Sequence, residues 1–366
     1  MENMVDQIEQ FYKNKKIFVT GHTGFKGTWL LALLNSFGAN VKGYAQKSKN
    51  EFDIYNLISG DKICNSYIGD ISNFETLNNE IQSFQPDLIF HLAAQPLVKY
   101  SYHNPLETYN TNVMGTVNLL ESLKSINNKC AVILITTDKV YQNNEWEFPY
   151  RENDRLGGYD PYSSSKACCE IVINAYRSSF FNISDINNNI HISSVRAGNV
   201  IGGGDWSEDR IVPDIIRSIL NNKPLELRNP FSIRPWQHVL EPIFGYLNLG
   251  YKLFTNPIKY SQSYNFGPNT DDSLSVENVV NLAYTYWPHT IIVNKSKSVN
   301  NEHETCVLKL DISKVKNDLA WIPTYDAKKA IQITIEWYKN FQSKQLDIAT
   351  FTQNQINDFL ISVRKK

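Results

Sequence analysis

The chain has 366 residues, a formal net charge of −1, 42% apolar residues and 20% charged residues. This composition is typical of a soluble globular protein with an ample core, and it excludes a largely disordered chain. The near-zero net charge supplies no long-range field that would attract nucleic acid or an anionic membrane surface, so neither is expected as a partner.

The cysteines and the N-terminal sequence bear on the compartment. The five cysteines are an odd number and include no C-x-x-C pair, so neither a disulfide framework nor a metal site is predicted. The N-terminal sequence "MENMVDQIEQFYKNKK" has acids where a signal peptide needs a basic start and an apolar core. No segment approaches the ~18 consecutive apolar residues of a membrane span. We therefore expect a cytoplasmic protein.

Short apolar strands alternate with helical patterns in the first half of the chain. The predicted strands are 16–21, 40–45, 66–71, 87–94, 130–138 and 190–198, and the predicted helices are 25–38, 74–84, 106–125 and 161–180. Strands that are buried on both faces and alternate with helices predict an α/β fold with a doubly wound parallel Rossmann sheet.

After about residue 202 the elements become shorter and less regular. Helices are predicted near 209–222, 240–254, 275–287 and 326–342. This change indicates a cofactor-binding Rossmann domain over 1–202. A smaller C-terminal lobe over 203–366 would bind mainly the substrate, with some segments returning to the first domain.

A glycine-rich loop joins the first strand to its helix. In "VTGHTGFKG", Gly21, Gly24 and Gly27 form a G-x-x-G-x-x-G turn. Glycine there lets the backbone approach a pyrophosphate that lies on the helix N-terminus. Many strand–helix loops carry glycines for steric reasons alone, but the position at the first strand of a βαβ series favours dinucleotide binding.

The next two strands carry the remaining cofactor signals. Asp70 follows the third strand, where its carboxylate can receive the adenine amino group; alternatively, it caps the helix that begins near Phe74. The ribose-binding acid expected ~20 residues after the glycines is missing. Gln46, Lys47 and Lys49 occupy that segment, and the lysines could meet a 2′-phosphate, so the residues alone leave NAD and NADP both open.

Tyr162 and Lys166 lie four residues apart on one predicted helix and therefore share a face. A nearby ammonium favours the ionised phenol, which lowers the tyrosine pKa toward neutral values. Such a tyrosinate can remove a sugar hydroxyl proton as hydride leaves the same carbon. The pair follows a glycine loop and a strand ending in "TTD", which makes this spacing far more specific than Y-x-x-x-K alone.

Several longer strings extend the pattern across nearly the whole chain. With them the sequence resembles the extended short-chain dehydrogenase/reductases and, within these, the CDP-glucose 4,6-dehydratases. The strings are "GHTGFKG", "HLAAQPLV", "NPLETYNTNVMGTVNLLE", "TTDKVY", "YRENDRLGGYDPYSSSKA", "RAGNVIGGGDW", "DRIVPDI" and "RNPFSIRPWQHVLEP". Most sugar-nucleotide dehydratases carry Thr-Asp-Glu where this chain has "TTDK".

The resemblance implies NAD as cofactor and CDP-glucose as substrate, for deoxysugar and surface-polysaccharide synthesis. NAD would take hydride from C4, water would leave across C5 and C6, and the hydride would return to C6. By match to the family motifs, Thr137 contacts the C4 hydroxyl, Tyr162 is the base for oxidation, Lys166 orients it, and Asp138 protonates the departing C6 hydroxyl.

The same match assigns the binding residues. Arginine suits bidentate phosphate contact, so Arg210 and Arg234 are expected on the substrate pyrophosphate, although surface salt bridges are the alternative. Arg196 is expected to be structural, and His303–Glu304 to contact the nucleotide. The cofactor residues are Gly21, Thr23, Gly24, Phe25, Lys26, Gly27, Asp70, Ile71, Leu92, Ala93, Ala94, Asn112, Tyr162 and Lys166, and the substrate residues are Gln95, Asn199, Arg210 and Arg234.

Lys139 follows the acid directly and stands where related dehydratases carry the glutamate that removes the C5 proton. A neutral lysine can serve as that base, and partial burial favours the neutral form. Alternatively, a charged Lys139 stabilises the C5 enolate while another group acts as base. As an ordinary surface lysine it would contribute only ~0–1 kcal/mol through a salt bridge.

A homodimer or homotetramer is expected, because the helices 106–125 and 161–180 match those that pair between subunits in the family. The stripe Val113, Val117, Leu120 and Leu123 could instead pack on the sheet. Two rival functions remain at this point. A nucleotide-sugar 4-epimerase needs the tyrosine and lysine but no acid–base pair at 138–139, and an NAD-sensing binding protein often loses the tyrosine–lysine pair.

Overall fold

A computed structural model describes residues 3–227, 229–288 and 307–366, together with the backbone of a short strand, Val293–Lys295. Seven parallel strands form the central sheet in the order β7-β6-β5-β4-β1-β2-β3. Numbered along the chain, they are β1 Lys16–Thr20, β2 Asn40–Ala45, β3 Asn65–Ile68, β4 Leu88–His91, β5 Cys130–Ile135, β6 Ile190–Ala197 and β7 Ser263–Phe266. The predicted fold class is confirmed.

The middle of the sheet is buried on both faces, as its nearly continuous apolar runs predict. Every residue of β4, β5 and β6 is buried. Strand order reverses between β1 and β4, and the register there pairs Thr20 with His91. In open α/β sheets such a reversal leaves a crevice at the carboxyl ends of the strands, where ligands bind.

Helices cover both faces of the sheet. Within the described ranges the helices are Met4–Tyr12, Phe25–Ser36, Ile54–Leu57, Phe74–Phe84, Val98–His103, Pro105–Tyr109, Gly115–Ser122, Pro161–Ser179, Ile211–Asn221, Leu240–Thr255, Pro257–Tyr260, Val276–Tyr286, Ser313–Leu319, Ala327–Ser343 and Ile348–Arg364. No helix in this part of the chain is long and apolar enough to cross a membrane.

The sequence did not predict strand β7 or the long terminal helices Met4–Tyr12 and Ile348–Arg364. It also did not predict the short helices Ile54–Leu57, Val98–His103, Pro257–Tyr260 and Ser313–Leu319. Strand β7 comes from the second half of the chain and extends the sheet beside β6. At its centre Asn265 is fully buried, which a period-2 pattern of apolar residues does not reveal.

The predicted helix 106–125 is a series of pieces rather than one regular helix. A π-helical turn, Asn110–Met114, joins the helices Pro105–Tyr109 and Gly115–Ser122, and a 3₁₀ turn, Leu123–Ser125, ends the series. Single π turns inside helices are frequent at functional sites because they redirect one side chain. Here the turn carries Asn112, which is buried.

Candidate active site

The three positions of the first loop require glycine for different physical reasons. Gly21 has φ +74°, and a Cβ there would lie 2.6 Å from Ala93 N. A Cβ at Gly27 would lie 2.1 Å from the Gly21 carbonyl oxygen, so both positions are closed by packing. Gly24 is different, because Gly21 O at 3.4 Å is the one atom near its Cβ position among the described residues. It faces open space at the N-terminus of the helix Phe25–Ser36.

The predicted adenosine end is ordered by hydrogen bonds to Asp70. Its carboxylate accepts from Gln46 Nε2 at 2.8 Å and from the amide and hydroxyl of Ser72 at 2.8 and 2.7 Å. Burial raises the pKa of Asp70, but these hydrogen bonds outweigh it and hold the pKa below its usual range. Asn73 caps the helix Phe74–Phe84 instead, so the alternative role of Asp70 as a cap is wrong.

Gln46 connects this end to the glycine loop. Its carbonyl oxygen accepts a hydrogen bond of 2.8 Å from the Thr23 hydroxyl, while its side chain reaches Asp70. Ile71 is buried against Gly115, where a Cβ would come within 2.7 Å of the isoleucine side chain. The residues predicted around the adenosine thus form one continuous surface.

The loop after β4 is held by hydrogen bonds to Thr20, the last residue of β1. The amide of Ala93 donates to the Thr20 hydroxyl at 3.2 Å, and the amide of Leu92 donates to the Thr20 carbonyl at 3.1 Å. Leu92, Ala93 and Ala94 are half-buried at the crevice. This places them beside Gly21, as the cofactor-binding prediction requires.

Asn112 and Gln95 hold this loop against the helix Pro161–Ser179. Asn112 accepts from the Gln95 amide at 2.8 Å, and its Nδ2 donates to the Gln95 carbonyl at 3.1 Å and to Ser165 Oγ at 2.9 Å. The Gln95 side chain donates to Thr108 Oγ1 at 2.9 Å and accepts from the Leu97 amide at 2.6 Å. Both side chains are therefore engaged in shaping the loop.

Tyr162 and Lys166 are both buried on the inner face of the helix Pro161–Ser179. Asp160 caps this helix by accepting from the Ser163 amide at 2.9 Å. Lys166 Nζ donates to the Ile135 carbonyl, at the end of β5, at 3.4 Å. Burial lowers the pKa of Lys166, with nearby Cys169 and Glu170 opposing it.

The pKa of Tyr162 differs from the expectation. Burial raises it to about 12, while a hydrogen bond with Thr137 and the charge of Arg210 oppose that rise. The expected lowering of the Tyr162 pKa toward neutral values by Lys166 is therefore wrong. The physical reason is that desolvation of the phenolate exceeds the effect of the nearby cations.

Thr137, Asp138 and Lys139 lie in the turn that follows β5, where Thr137 precedes the 3₁₀ segment Asp138–Val140. Thr137 caps the turn by accepting from the Lys139 amide at 3.4 Å, and its hydroxyl donates to Asp138 Oδ1 at 3.0 Å. Asp138 is 3% exposed, and burial raises its pKa, although Lys139 and Arg234 lower it. In the part of the chain that the structure describes, Asp138 Oδ2 has no hydrogen-bond partner. The turn therefore presents a carboxyl group that favours its protonated form.

Cations from both halves of the chain act on the groups at this turn. The charge of Arg234 acts on Asp138, and that of Arg210 acts on Tyr162. Burial lowers the pKa of Lys26 to about 8, with Arg210 adding to the effect and Asp138 opposing it. Asn199 is half-buried after β6. The structure thus brings Arg210 and Arg234, from the second half of the chain, near Tyr162 and Asp138.

Arg210 does form a salt bridge, as the alternative interpretation of this residue predicted. Its guanidinium lies 3.2 Å from Asp205 Oδ2, and Asp205 is itself buried. Arg196 forms a buried ion pair with Glu170 at 2.8 Å, which agrees with the structural role expected for it. His303 and Glu304 lie outside the described residues.

Sequence reasoning missed three acidic residues that support the site: Asp160, Asp205 and Glu170. Glu170 follows Lys166 by four residues, the same helical spacing that relates Lys166 to Tyr162, so a signal for it was present. Asp160 precedes Pro161 at a helix start, which is also a recognisable capping signal. Asp205 carries no comparable local signal.

Comparison with known proteins identifies the family of this chain. The family model described as GDP-mannose 4,6 dehydratase matches residues 18–334. The chain belongs to this GDP-mannose 4,6 dehydratase family. The chain is also 46% identical to CDP-glucose 4,6-dehydratase of Salmonella typhimurium over 358 residues, which are 98% of this chain and 99% of that protein. The resemblance inferred from the motifs is confirmed.

More distant relatives within and around the GDP-mannose 4,6 dehydratase family share the fold. CDP-paratose 2-epimerase of Salmonella typhi is 28% identical over 88% of this chain and 98% of its own length. A crystal structure of dTDP-glucose 4,6-dehydratase from Bacillus anthracis, in complex with NAD, has a TM-score of 0.75 at 23% identity and covers 90% of this chain and 98% of its own. The structure of UDP-glucuronic acid 4-epimerase from Bacillus cereus, in complex with UDP-glucuronic acid and NAD, has a TM-score of 0.75 at 24% identity. It covers 89% of this chain and 99% of its own.

Proposed function

We propose that the chain is an NAD-dependent CDP-glucose 4,6-dehydratase that forms CDP-4-keto-6-deoxy-glucose. The observation that carries the proposal is the turn of Thr137, Asp138 and Lys139 beside buried Tyr162, at the open end of a dinucleotide loop. The likeness to the Salmonella typhimurium dehydratase along the whole chain supports it. In this proposal, residues 1–202 hold the cofactor and residues 203–366 hold mainly the substrate.

The residues of the first lobe fit a dinucleotide. Gly24 is open, and it begins a helix whose first turn receives no side-chain cap, so the amides of that turn can bind a pyrophosphate. Asp70 and Ile71 would hold the adenine, and the loop Leu92–Ala94 would line the ribose and nicotinamide. NAD supplies the hydride acceptor at C4 of the sugar and the hydride donor at C6.

Oxidation at C4 requires a base for the hydroxyl proton. Tyr162 would take this proton, with Thr137 hydrogen-bonded to the phenol oxygen and Lys166 one turn further along the same helix. Because burial raises the pKa of Tyr162 to about 12, formation of the phenolate depends on groups that oppose this rise. Arg210 is one of these groups, and it comes from the substrate lobe.

Elimination follows because the 4-keto group acidifies the C5 proton. Asp138, whose pKa is raised by burial, would donate its proton to the C6 hydroxyl, which leaves as water. Lys139 would either take the C5 proton as a neutral amine or stabilise the enolate as an ammonium. The product of this step is a 4-keto-5,6-ene sugar, and hydride at C6 with a proton at C5 completes the reaction.

The substrate is held by its pyrophosphate. Arg210 and Arg234 would contact the phosphate oxygens, and Asn199 would add a donor. Gln95 would contribute mainly by fixing the loop that borders the sugar, because its side chain is already hydrogen-bonded to Thr108 and Leu97.

A single assay tests this function against its rivals. The protein is incubated with NAD and with CDP-glucose, GDP-mannose, UDP-glucose or dTDP-glucose, and the alkali chromophore of a 4-keto-6-deoxy sugar is measured. We expect the chromophore with CDP-glucose. A 4-hydroxyl epimer without chromophore would support the 4-epimerase instead, and absence of turnover with retained NAD binding would support a sensor.

We also propose a symmetric dimer built on the helices near 106–125 and 161–179. Of the predicted stripe, Leu120 and Leu123 are fully buried against the sheet, so they are not available. The outer face instead exposes large apolar side chains: Leu106 by 87%, Met114 by 47% and Ile171 by 59%. Sedimentation should show a species above 42.1 kDa that Ile171→Glu dissociates, whereas Ile186→Glu, in an exposed loop, should have no effect.

A further inference from the structure

The carboxylate of Glu170 lies behind the active site and receives hydrogen bonds from two neighbouring strand ends. It is 3% exposed and sits one helical turn after Lys166. Its Oε1 accepts from Thr136 Oγ1 at 2.6 Å. Its Oε2 accepts from Ser194 Oγ and from Arg196, each at 2.8 Å, and from Ser263 Oγ of β7 at 3.4 Å. One helix residue thus connects the end of β5 with β6.

The charge on Glu170 makes this arrangement rigid. A buried carboxylate is costly unless it is paired and fully hydrogen-bonded. Burial raises the pKa of Glu170, but Arg196, Thr136 and Ser194 outweigh it and keep the group ionised. Moving Thr136, Ser194 or Arg196 would leave part of a buried charge unsatisfied, so each of these donors is held in place.

The two oxygens of Glu170 have different mechanical roles. Oε2 faces β6, which carries none of the catalytic residues, while Oε1 has the Thr136 hydroxyl as its one partner among the described residues. Thr136 immediately precedes Thr137, the first residue of the catalytic turn. Thr136 is also held by β6, because its amide and its hydroxyl lie 2.8 and 3.1 Å from the Val195 carbonyl oxygen. The bond from Thr136 to Glu170 adds to this a direct link between that turn and the helix that carries Tyr162 and Lys166.

We propose that Glu170 is a positioning residue that fixes the turn of Thr137, Asp138 and Lys139 against Tyr162 through the hydroxyl of Thr136. This inference rests on the proposed function for its catalytic consequence. Catalysis needs the acid, the threonine and the tyrosine to meet one sugar ring, and misplacement by ~1 Å can cost ~10²-fold in rate.

Direct replacement of Glu170 is a poor test, because it leaves Arg196 buried without its partner and threatens folding. Thr136→Val is sharper, since it is nearly isosteric and leaves the ion pair intact. Ser194→Ala is its matched control, because it removes a hydrogen bond of 2.8 Å to the same carboxylate on the β6 side. Thr136→Ser retains the hydroxyl and serves as the rescue variant.

Steady-state kinetics with CDP-glucose and NAD should separate these variants. We expect kcat of Thr136→Val to fall ~10-fold or more with KM within ~2-fold, because the phosphate-binding arginines are unaffected. Ser194→Ala and Thr136→Ser should stay near wild type at equal thermal stability. Equal losses in Thr136→Val and Ser194→Ala, or a wild-type kcat in Thr136→Val, would overturn the positioning role.

A second measurement does not depend on the substrate. Hydrogen exchange of the peptide that spans residues 136–141 should become faster in Thr136→Val and remain unchanged in Ser194→Ala. If the wild type failed to convert CDP-glucose, the proposed function would be lost, yet this comparison would still decide whether the link holds the turn. If hydrogen exchange were unchanged in both variants, the proposal that Glu170 holds the turn through Thr136 would be rejected.

Discussion

Oδ2 of Asp138 faces Gly198 so closely that a Cβ atom at residue 198 would lie 2.9 Å from it. The same Cβ would lie 2.6 Å from Cγ of Pro235. The proposed acid therefore occupies a space that is available only because residue 198 has no side chain. The raised pKa of Asp138 has the same origin, since this packing excludes water from the carboxyl group.

Gly198→Ala should consequently slow the loss of water, because the methyl group displaces either the acid or Pro235. We expect a kcat lower by ~10-fold or more, with accumulation of the C4-oxidised sugar. The matched control is Gly267→Ala, where the nearest atom to the new Cβ would be 3.5 Å away, in ordinary contact. A Gly198→Ala enzyme with wild-type elimination would remove the steric argument.

Tyr162→Phe should abolish oxidation while CDP-glucose still binds, since the buried ring is retained and only the base is lost. A general base typically contributes ~10²–10⁴-fold, so we expect a loss in this range for single-turnover hydride transfer. Because the phenolate is the active form and burial raises the pKa of Tyr162 to about 12, the wild-type oxidation rate should rise with pH. Tyr159→Phe, at a residue that is 74% exposed, should behave as wild type.

Lys139→Met should leave oxidation at C4 intact and suppress both C5 proton exchange and water loss. CDP-glucose deuterated at C5 measures the exchange directly. Lys139→Arg then distinguishes the two roles, because a permanently charged guanidinium can stabilise an enolate but cannot act as a neutral base. Lys328→Met, on the exposed face of the helix Ala327–Ser343, is the control. Near-normal elimination in Lys139→Met would make Lys139 a bystander.

Gly24→Ala and Gly21→Ala should both weaken NAD binding, but for different physical reasons. At Gly24 a methyl group finds space in the protein but projects toward the proposed pyrophosphate, so NAD affinity should drop ~10-fold or more, about 1.4 kcal/mol, at unchanged stability. At Gly21 the methyl group meets Ala93 N at 2.6 Å with φ +74°, so the melting temperature should fall as well. Calorimetry and titration of NAD check both, and equal NAD affinity in Gly24→Ala and wild type would contradict the proposed site.

Glu241 should make the stability depend on pH. Burial raises its pKa from 4.5 to about 7, although the amides of Thr324 and Tyr325 donate to it. The folded state therefore binds this proton more tightly than the unfolded state, and the free energy of unfolding should fall as pH rises from about 4.5 to 7. At ~1.4 kcal/mol per pKa unit, the loss is on the order of 3 kcal/mol.

Urea unfolding at pH 5 and pH 8 measures this dependence. Glu241→Gln should lose less stability over the interval than the wild type does, because its amide does not titrate. Glu75→Gln, at an exposed position, should follow the wild type. A wild type and a Glu241→Gln variant with the same pH dependence would show that Glu241 stays ionised throughout.

The sequence by itself determined the order of strands and helices in the first half and most residues of the candidate site. The glycine loop, the "TTDK" turn and the Tyr162–Lys166 spacing are local patterns, and backbone geometry fixes where such neighbours point: i and i+4 share a helix face, and parallel strands end at one edge. These inferences therefore needed no knowledge of packing.

Only the tertiary structure decided which groups are desolvated and which distant elements meet. It added β7 to the sheet, buried Leu120 and Leu123 rather than leaving them for a partner, and raised the pKa of Tyr162 instead of lowering it. It also joined Thr136 and Arg196 to Glu170, across separations of 34 and 26 residues. The reason is that burial and long-range pairing depend on how faces assemble in space, which no periodicity along the chain encodes.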